Sequence, residues 1–269
     1  MYMNKDKIIK HYSKVDFTKG PPIYSREDIY DALYKLGRFE KCPKIYYILD
    51  SMCGQGLVGN EISKRLDKNK IKHRIHYLDI AIGQFQNLIK KGNAVSLSEA
   101  DEIPYSDESF DRVYTRFGVK NYPEKIQIKI LKENRRILAK GGYFVLMDMV
   151  SPPEAYEWSQ TERKEKQKFT IGESSYPHIP TLEMWLKMLE ESGFLPDYEN
   201  IYRTISYVIT SQWVESKQMT AEELEKMNEF LLSAPSNAKK SYNIREEKIG
   251  RRNAVKIDYP VVIISAKAT

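Results

Sequence analysis

The sequence predicts an α/β protein with a mostly parallel, seven-stranded sheet, helices on both faces and an antiparallel last strand. Three observations predict it. Short apolar runs alternate with helical patterns across residues 45–150, which implies parallel strands joined by crossover helices. The first run, Ile45-Tyr46-Tyr47-Ile48-Leu49, leads through Asp50 into a turn carrying Gly54, Gly56 and Gly59 and then into a helical stretch, Asn60 to Leu66. The last run, Pro260 to Ala266, has no helical spacer just before it, as an antiparallel closing strand would not.

Taken in order, residues 1–40 read as helical. Ile8, Ile9, Tyr12 and Val15 fall near one face, and Gly20-Pro21-Pro22 then breaks the chain. Ser25 is a candidate cap, with Asp28 as a weak capping box, for a second helix carrying Ile29, Leu33 and Leu36. Such a segment ahead of a nucleotide-binding sheet either covers the ligand mouth or packs on the sheet. The glycine-rich turn follows the first strand. Glycine suits a sharp turn whose backbone must approach a ligand, and the free N–H groups of the next helix favour a negative group there. A second strand, Ile75 to Asp79, ends in a carboxylate that can accept from both hydroxyls of a ribose or can cap the next helix. Asn93–Ser98 forms a third strand running into Glu99-Ala100-Asp101-Glu102, and Asp111–Thr115 a fourth. Glu124 to Leu138 carries a helical stripe, Ile126, Ile130, Leu131, Asn134 and Ile137, with Gly141-Gly142 as its stop before a fifth strand, Gly142–Asp148.

From Ser151 the rhythm changes. A polar insertion runs to about Pro180, with a helix over Trp158–Lys168 and a Gly-Ser-Pro-rich loop around His178. A helix over Thr181–Ser192 follows, stopped by Gly193, and Ser206–Trp213 and Pro260–Ala266 read as closing strands around a helix at Ala221–Leu232.

Composition narrows the class. Of 269 residues 41% are hydrophobic, enough for a core, and no apolar run is long enough to span a bilayer. The start, Met1 to Lys7, lacks the apolar heart of a signal peptide, and the two cysteines, Cys42 and Cys53, form neither a disulfide framework nor a metal cluster, so a cytoplasmic protein is expected. The net charge of +6 is spread among acids, and Arg163-Lys164-Glu165-Lys166-Gln167-Lys168 and Arg245-Glu246-Glu247-Lys248 read as solvated helix faces, which argues against a nucleic-acid partner.

The motifs resemble those of the class I S-adenosylmethionine-dependent methyltransferases, above all the menaquinone/ubiquinone C-methyltransferase-like (methyltransferase type 11) group. Asp50 to Gly56 is similar to its acid–glycine turn and Asp79 to the acid ending its second strand. Ala100-Asp101-Glu102-Ile103-Pro104-Tyr105-Ser106-Asp107-Glu108-Ser109-Phe110-Asp111 resembles its Ala-x-x-(Leu/Ile)-Pro-(Phe/Tyr)-x-Asp-x-Ser-Phe-Asp block. Phe117-Gly118-Val119-Lys120-Asn121 is similar to its Phe-Gly-(Leu/Ile)-Arg-Asn stretch, and Leu138-Ala139-Lys140-Gly141-Gly142 to its turn before strand five. The likeness covers residues 45–150 and does not extend into the cap.

The resemblance implies a Rossmann-like methyltransferase fold and S-adenosyl-L-methionine as cofactor, with S-adenosyl-L-homocysteine as its product. The pattern along the chain divides it into an N-terminal helical cover (1–40), an S-adenosylmethionine-binding core (41–150), an insertion and helix expected to form a substrate cap (151–200) and closing strands with a helix that complete the same domain (201–269). The resemblance implies that Gly54 and Gly56 lie against the methionine and ribose, that Asp50 holds the ammonium and Asp79 the ribose hydroxyls, and that Ile80 packs on the adenine. Glu99 and Ala100 would reach the adenine edge, while Thr115 and Arg116 close over the methionine end. Met52 stands where the family has its first glycine, so its side chain lies near the cofactor's sulfur end or the loop takes another route.

Methyl transfer is an in-line displacement governed by alignment, so a dedicated catalytic residue is optional. A base may be needed for an oxygen or carbon nucleophile, and histidine suits that near neutrality. His178 in the insertion is the candidate catalytic base and, with His11, a candidate substrate contact, while Tyr12 and Tyr24 are candidates for gating the pocket. His73 and His76 read as structural. The function expected is methylation of a small aromatic or apolar acceptor. A tRNA-modifying methyltransferase and a non-catalytic cofactor- or partner-binding protein are the alternatives, and a dehydrogenase is the last contender.

Overall fold

A computed structural model describes residues 5–16, 19–41, 44–170, 177–249 and 252–269. Cys42 and the Gly-Ser-Pro stretch at 171–176 lie outside the described residues, as does the side chain of Ile8. Two helices open the chain, α1 (Lys5–Tyr12) and α2 (Glu27–Leu36). The expected Ser25 cap does not form: Ser25 Oγ donates to the Pro22 carbonyl and Asp28 is paired with Arg26, because α2 begins one residue later than the cap requires.

The sheet core follows as β1 (Tyr46–Ser51), α3 (Leu57–Lys68), β2 (His73–Asp79), α4 (Gln86–Lys90), β3 (Ala94–Leu97), β4 (Phe110–Arg116), α5 (Glu124–Ile137) and β5 (Leu138–Met149). Strands β3-β2-β1-β4-β5 lie side by side and parallel. The helix α5 ends at Ile137 rather than at Gly141-Gly142, because Leu138 already pairs with Phe110 and the glycines fall in an irregular stretch of β5.

The strand residues alternate between two apolar layers, as a pleated strand requires. Ile48, Val145, Met147, Val261 and Ile263 face the layer containing α2 and α3, while Leu49, Phe144, Leu146, Val262 and Ile264 face the layer containing α5. Below α5 lies α7 (Leu182–Glu191), whose Trp185 is fully buried in the same layer and donates its indole N–H to the Met149 carbonyl at 3.0 Å.

The described residues hold nine strands, not seven. Two short ones went unread: β6 (Phe194–Pro196), three residues long, and β8 (Arg245–Ile249). The segment 245–248, expected as a helix face, is a charged edge strand in a hairpin with β9 (Arg252–Ala268). The strand expected at Ser206–Trp213 is β7 (Tyr202–Ile209), and Trp213 sits instead in a short helix, α8 (Ser211–Glu215).

As expected, β9 runs antiparallel to β5, but it is 17 residues long and outruns it. Residues 261–267 pair with β5, while 256–263 pair with β7 and 252–256 with β8. Against this extension pack α6 (Tyr156–Thr170), α9 (Ala221–Leu232) and α10 (Ser236–Ser241), with Trp158 of α6 stacked on Phe230 of α9 at 6.2 Å and tilted on Tyr242 at 5.1 Å. The result is a second wall facing the carboxyl ends of β1 and β4, where the strand order reverses and α/β proteins bind ligands.

Candidate active site

At the end of β1, Asp50 is 2% exposed and accepts a hydrogen bond from the Gly59 N–H at 2.8 Å. Burial pushes its carboxyl up to about 7, against the pull of that N–H and of Arg116, and with a further push from Asp79. The next residues turn the chain sharply. Met52, Gly54 and Gly56 all have positive φ, at 57°, 52° and 73°. A Cβ on Gly56 would lie 2.8 Å from Leu88 and 2.9 Å from the Tyr77 ring, so this glycine is needed for both conformation and room.

Met52 itself lies in the left-handed region, at a cost of roughly 1–2 kcal/mol. Its thioether lies over Gly118, where an added Cβ would meet the sulfur at 2.6 Å. The strain of one residue is thus joined to the bareness of another.

Asp79 faces this turn from the tip of β2. Its two carboxylate oxygens accept from the Gly54 N–H at 2.8 Å and the Ala81 N–H at 2.9 Å, and burial raises its pKa. The two acids therefore sit on either side of a backbone cradle.

A cavity of about 180 Å³ opens above them. Asp50, Met52, Gly54, Asp79, Ile80, Ala100 and Arg116 line it. Gly56, Glu99 and Thr115 do not: Gly56 sets the turn from behind, Ser98 takes the lining position beside Ala100, and Thr115 is buried within β4. Arg116 donates to the Tyr30 hydroxyl at 3.1 Å and lies over the Tyr24 ring at 4.9 Å.

Of the candidates outside the core, Tyr12 and Tyr24 line the cavity and His11 and His178 do not. The His178 imidazole is engaged at both nitrogens, with Gln127 Oε1 and with the Tyr156 hydroxyl, each at 3.1 Å, and its backbone N–H donates to the Tyr122 carbonyl. It ties the end of the insertion to α5 and α6. His11 stands edge-on to Tyr12 at 5.2 Å, and burial, with Lys166 nearby, lowers its pKa to about 4. The cover is held by Gln84, whose amide donates to the Tyr12 and Val15 carbonyls, and by a bond from the Asp16 N–H to the Ser216 carbonyl.

The far end of the cavity is built from residues the sequence reading did not select. Lys120, Arg163, Lys166, Trp213 and Tyr259 line it, with Ser206 and Val208 from the inward face of β7. Arg163 and Lys166 were expected on a solvated face. Instead α6 buries Ser159, Glu162, Arg163, Lys166 and Gln167 and exposes Lys164 and Lys168. That spacing is helical, so a signal was present, but it was polar and a search for apolar stripes passes over it. These two cations thus face an interior chamber rather than solvent.

The cradle suits a nucleoside bearing a cationic amino-acid tail. Asp79 keeps lone pairs for hydroxyls beyond its two backbone bonds, since an ionised carboxylate accepts about four. Gln55, which also lines the cavity, holds a buried Oε1 with no partner among the described residues, and Asp50 offers a carboxyl to an ammonium.

Comparison with known proteins agrees. A methyltransferase domain family matches residues 48–142. The ubiquinone/menaquinone biosynthesis C-methyltransferase UbiE of Rickettsia felis is 26% identical over 228 residues, covering 68% of this chain and 89% of that protein. A demethylmenaquinone methyltransferase of Alkalihalophilus pseudofirmus is 39% identical over a shorter stretch of 64 residues, 24% of each chain. A putative methyltransferase from Bacillus halodurans superposes with a TM-score of 0.72 at 19% identity, over 90% of this chain and all of that one, a likeness of fold. Site geometry, the methyltransferase domain match and the relatives together support a class I S-adenosylmethionine-dependent methyltransferase similar to the UbiE group.

Proposed function

We infer that the protein binds S-adenosyl-L-methionine in the cradle between β1 and β2 and methylates a small aromatic molecule seated at the cap end of the same cavity. One observation carries the reading: a single chamber runs from the Asp50–Asp79 cradle to the aromatic wall of Tyr24, Trp213 and Tyr259. The relatives named for quinone methylation are consistent with a flat ring as acceptor.

When bound, the cofactor supplies an electrophilic methyl group on a sulfonium. The residues of the chain do the rest. Asp79 would hold the ribose hydroxyls, Ile80 would cover the adenine with Ser98 and Ala100 along its edge, and Asp50 would face the ammonium. An ammonium beside Asp50 would draw its carboxyl back toward the ionised form, since an opposite charge offsets burial. The rings of Tyr12 and Tyr24, from the N-terminal cover, would exclude water from the reacting centre and fix the acceptor's plane, which is most of what an in-line transfer requires. His178 is fully engaged in tying elements together and does not line the chamber, so the reading gives it no base role.

Calorimetric titration with S-adenosyl-L-methionine, S-adenosyl-L-homocysteine and NAD tests the reading. The two sulfur nucleotides bind and NAD does not. Binding of NAD alone, or of none of the three, would overturn it.

A further inference from the structure

We propose that the acceptor carries an anionic oxygen group, a carboxylate or a phosphate, received by Arg163 and Lys120 at the cap end of the cavity. This rests on the reading that the acceptor occupies that end.

Charge is the first observation. Arg116, Lys120, Arg163 and Lys166 all line the chamber, and Lys120 and Arg163 are only 4% and 8% exposed. The carboxylates facing them are already engaged. Asp148 accepts from the backbone N–H of Lys120 at 3.2 Å and of Met149 at 2.8 Å, with the Lys120 ammonium at 3.5 Å. Glu162 accepts from the Tyr259 hydroxyl at 2.7 Å. At this end three cations, Lys120, Arg163 and Lys166, meet two carboxylates, Asp148 and Glu162, and a buried charge in surplus is costly unless an opposite one completes it.

Arg163 is the second. Its Nη2 donates to the neutral Asn121 Oδ1 at 2.5 Å, and its Nε is buried with no partner among the described residues. Asn121 is in turn fixed by donating to the Phe117 carbonyl at 3.1 Å. A guanidinium held in place by an uncharged group, with a donor left over, is prepared for the forked recognition of an oxyanion. Lys120 donates to the Phe117 carbonyl at 2.5 Å and has three donors in all, so it can add a bond beside the fork.

Surroundings are the third. Arg163 acts electrostatically on Tyr12, Tyr24 and Tyr259 as well as on Lys120 and Lys166, so it stands at the meeting point of the cover, the cap and the β9 wall. Burial lowers both lysines; Asp148 pulls Lys120 back up and Glu162 does so for Lys166, while the Arg163 guanidinium lowers each. A ring flanked by tyrosines and ending in an oxyanion satisfies the chamber on both counts. The bland alternative is that Arg163 only stitches α6 to the 119–121 segment.

The test uses the full chain saturated with S-adenosyl-L-homocysteine and titrated at constant ionic strength with benzoate, phenyl phosphate, benzamide and phenol. At least one anion is expected to bind tenfold or more tightly than the neutral rings, with benzoate ahead for a carboxylate acceptor and phenyl phosphate ahead for a phosphate one. Arg163→Met should erase the preference while the affinity for S-adenosyl-L-homocysteine stays within twofold. Should that variant fail to fold, Lys120→Gln should weaken the anion severalfold. Equal binding of charged and neutral rings, no binding of either anion, or a preference that survives both substitutions overturns the proposal. Failure to bind S-adenosyl-L-homocysteine at the outset would instead fail the cofactor reading.

Discussion

The two ends of the chamber are built on opposite plans. The cradle end is made of backbone: left-handed residues at 52, 54 and 56, N–H groups pointed at carboxylates, and two acids, Asp50 buried and Asp79 half-buried. The cap end is made of long side chains from α6, β7 and β9, rich in cations and rings. A backbone site is specified by a few adjacent residues, whereas a side-chain site is assembled from distant ones by packing. The first kind can be moved whole between proteins.

The sharpest way to break this contrast is at Asp79. Asp79→Ala removes the acceptor for two backbone N–H groups and, on the proposed reading, for the ribose. The affinity for S-adenosyl-L-methionine should fall by about 100-fold or more, since each hydrogen bond to a charged group contributes roughly 1.5–3 kcal/mol. Benzoate or phenyl phosphate binding at the cap end should change little; a parallel loss would show that the ends are not separable.

Asp50 offers a pH test. Its carboxyl ionises near the ordinary 3.8 in the unfolded chain but near 7 in the folded ligand-free protein, so the folded state holds an extra proton between those values. Stability from this group is therefore full at low pH and is lost as pH rises through about 4 to 7, by on the order of a few kcal/mol. His11, lowered to about 4, slopes the opposite way because its unfolded form takes up the proton first. Urea melts across this range should show Asp50→Asn losing its share of the downward component, while the share of Asp79, also raised by burial, and the His11 component persist.

Tyr259→Phe sharpens the other side. It deprives buried Glu162 of its hydroxyl donor and should cost about 1.5–3 kcal/mol in denaturant unfolding. The Kd for S-adenosyl-L-methionine should hardly move. Smallest of all is a pair of helix caps. Thr220 makes a full capping box with Glu223, so Thr220→Ala should cost about 1 kcal/mol. Ser25→Ala, where no cap forms, should stay within about 0.5 kcal/mol in the same unfolding experiment.

Legibility in the sequence follows the same division. The alternation from β1 to β5, the cradle glycines, the acids at strand ends and the tyrosines of the cover could be read because each is a local pattern. Strands β6 and β8 escaped because one is three residues long and the other is a charged edge with no apolar alternation. Arg163 and Lys166 escaped for a deeper reason. Whether a charged helix face meets water or a chamber depends on what packs opposite, and β9 lies about a hundred residues further along. His178 misled in the converse way: a histidine in the insertion after β5 suggests chemistry, but its two nitrogens are spent on Gln127 and Tyr156.

The length of β9 also decides how the chamber can open. One uninterrupted strand is shared by the sheet and the cap, bonded to β5 along 261–267 and to β7 along 256–263. A lid that swung on that strand would have to tear both ladders, so the cap behaves as a fixed jaw. On the opposite side α1 and the described residues up to Asp16 belong to no ladder, and their fastenings include the Gln84 amide, a backbone bond to Ser216 and the burial of Val15. On the proposed reading, ligands should enter on the Tyr12 side of the chamber, the side no strand locks.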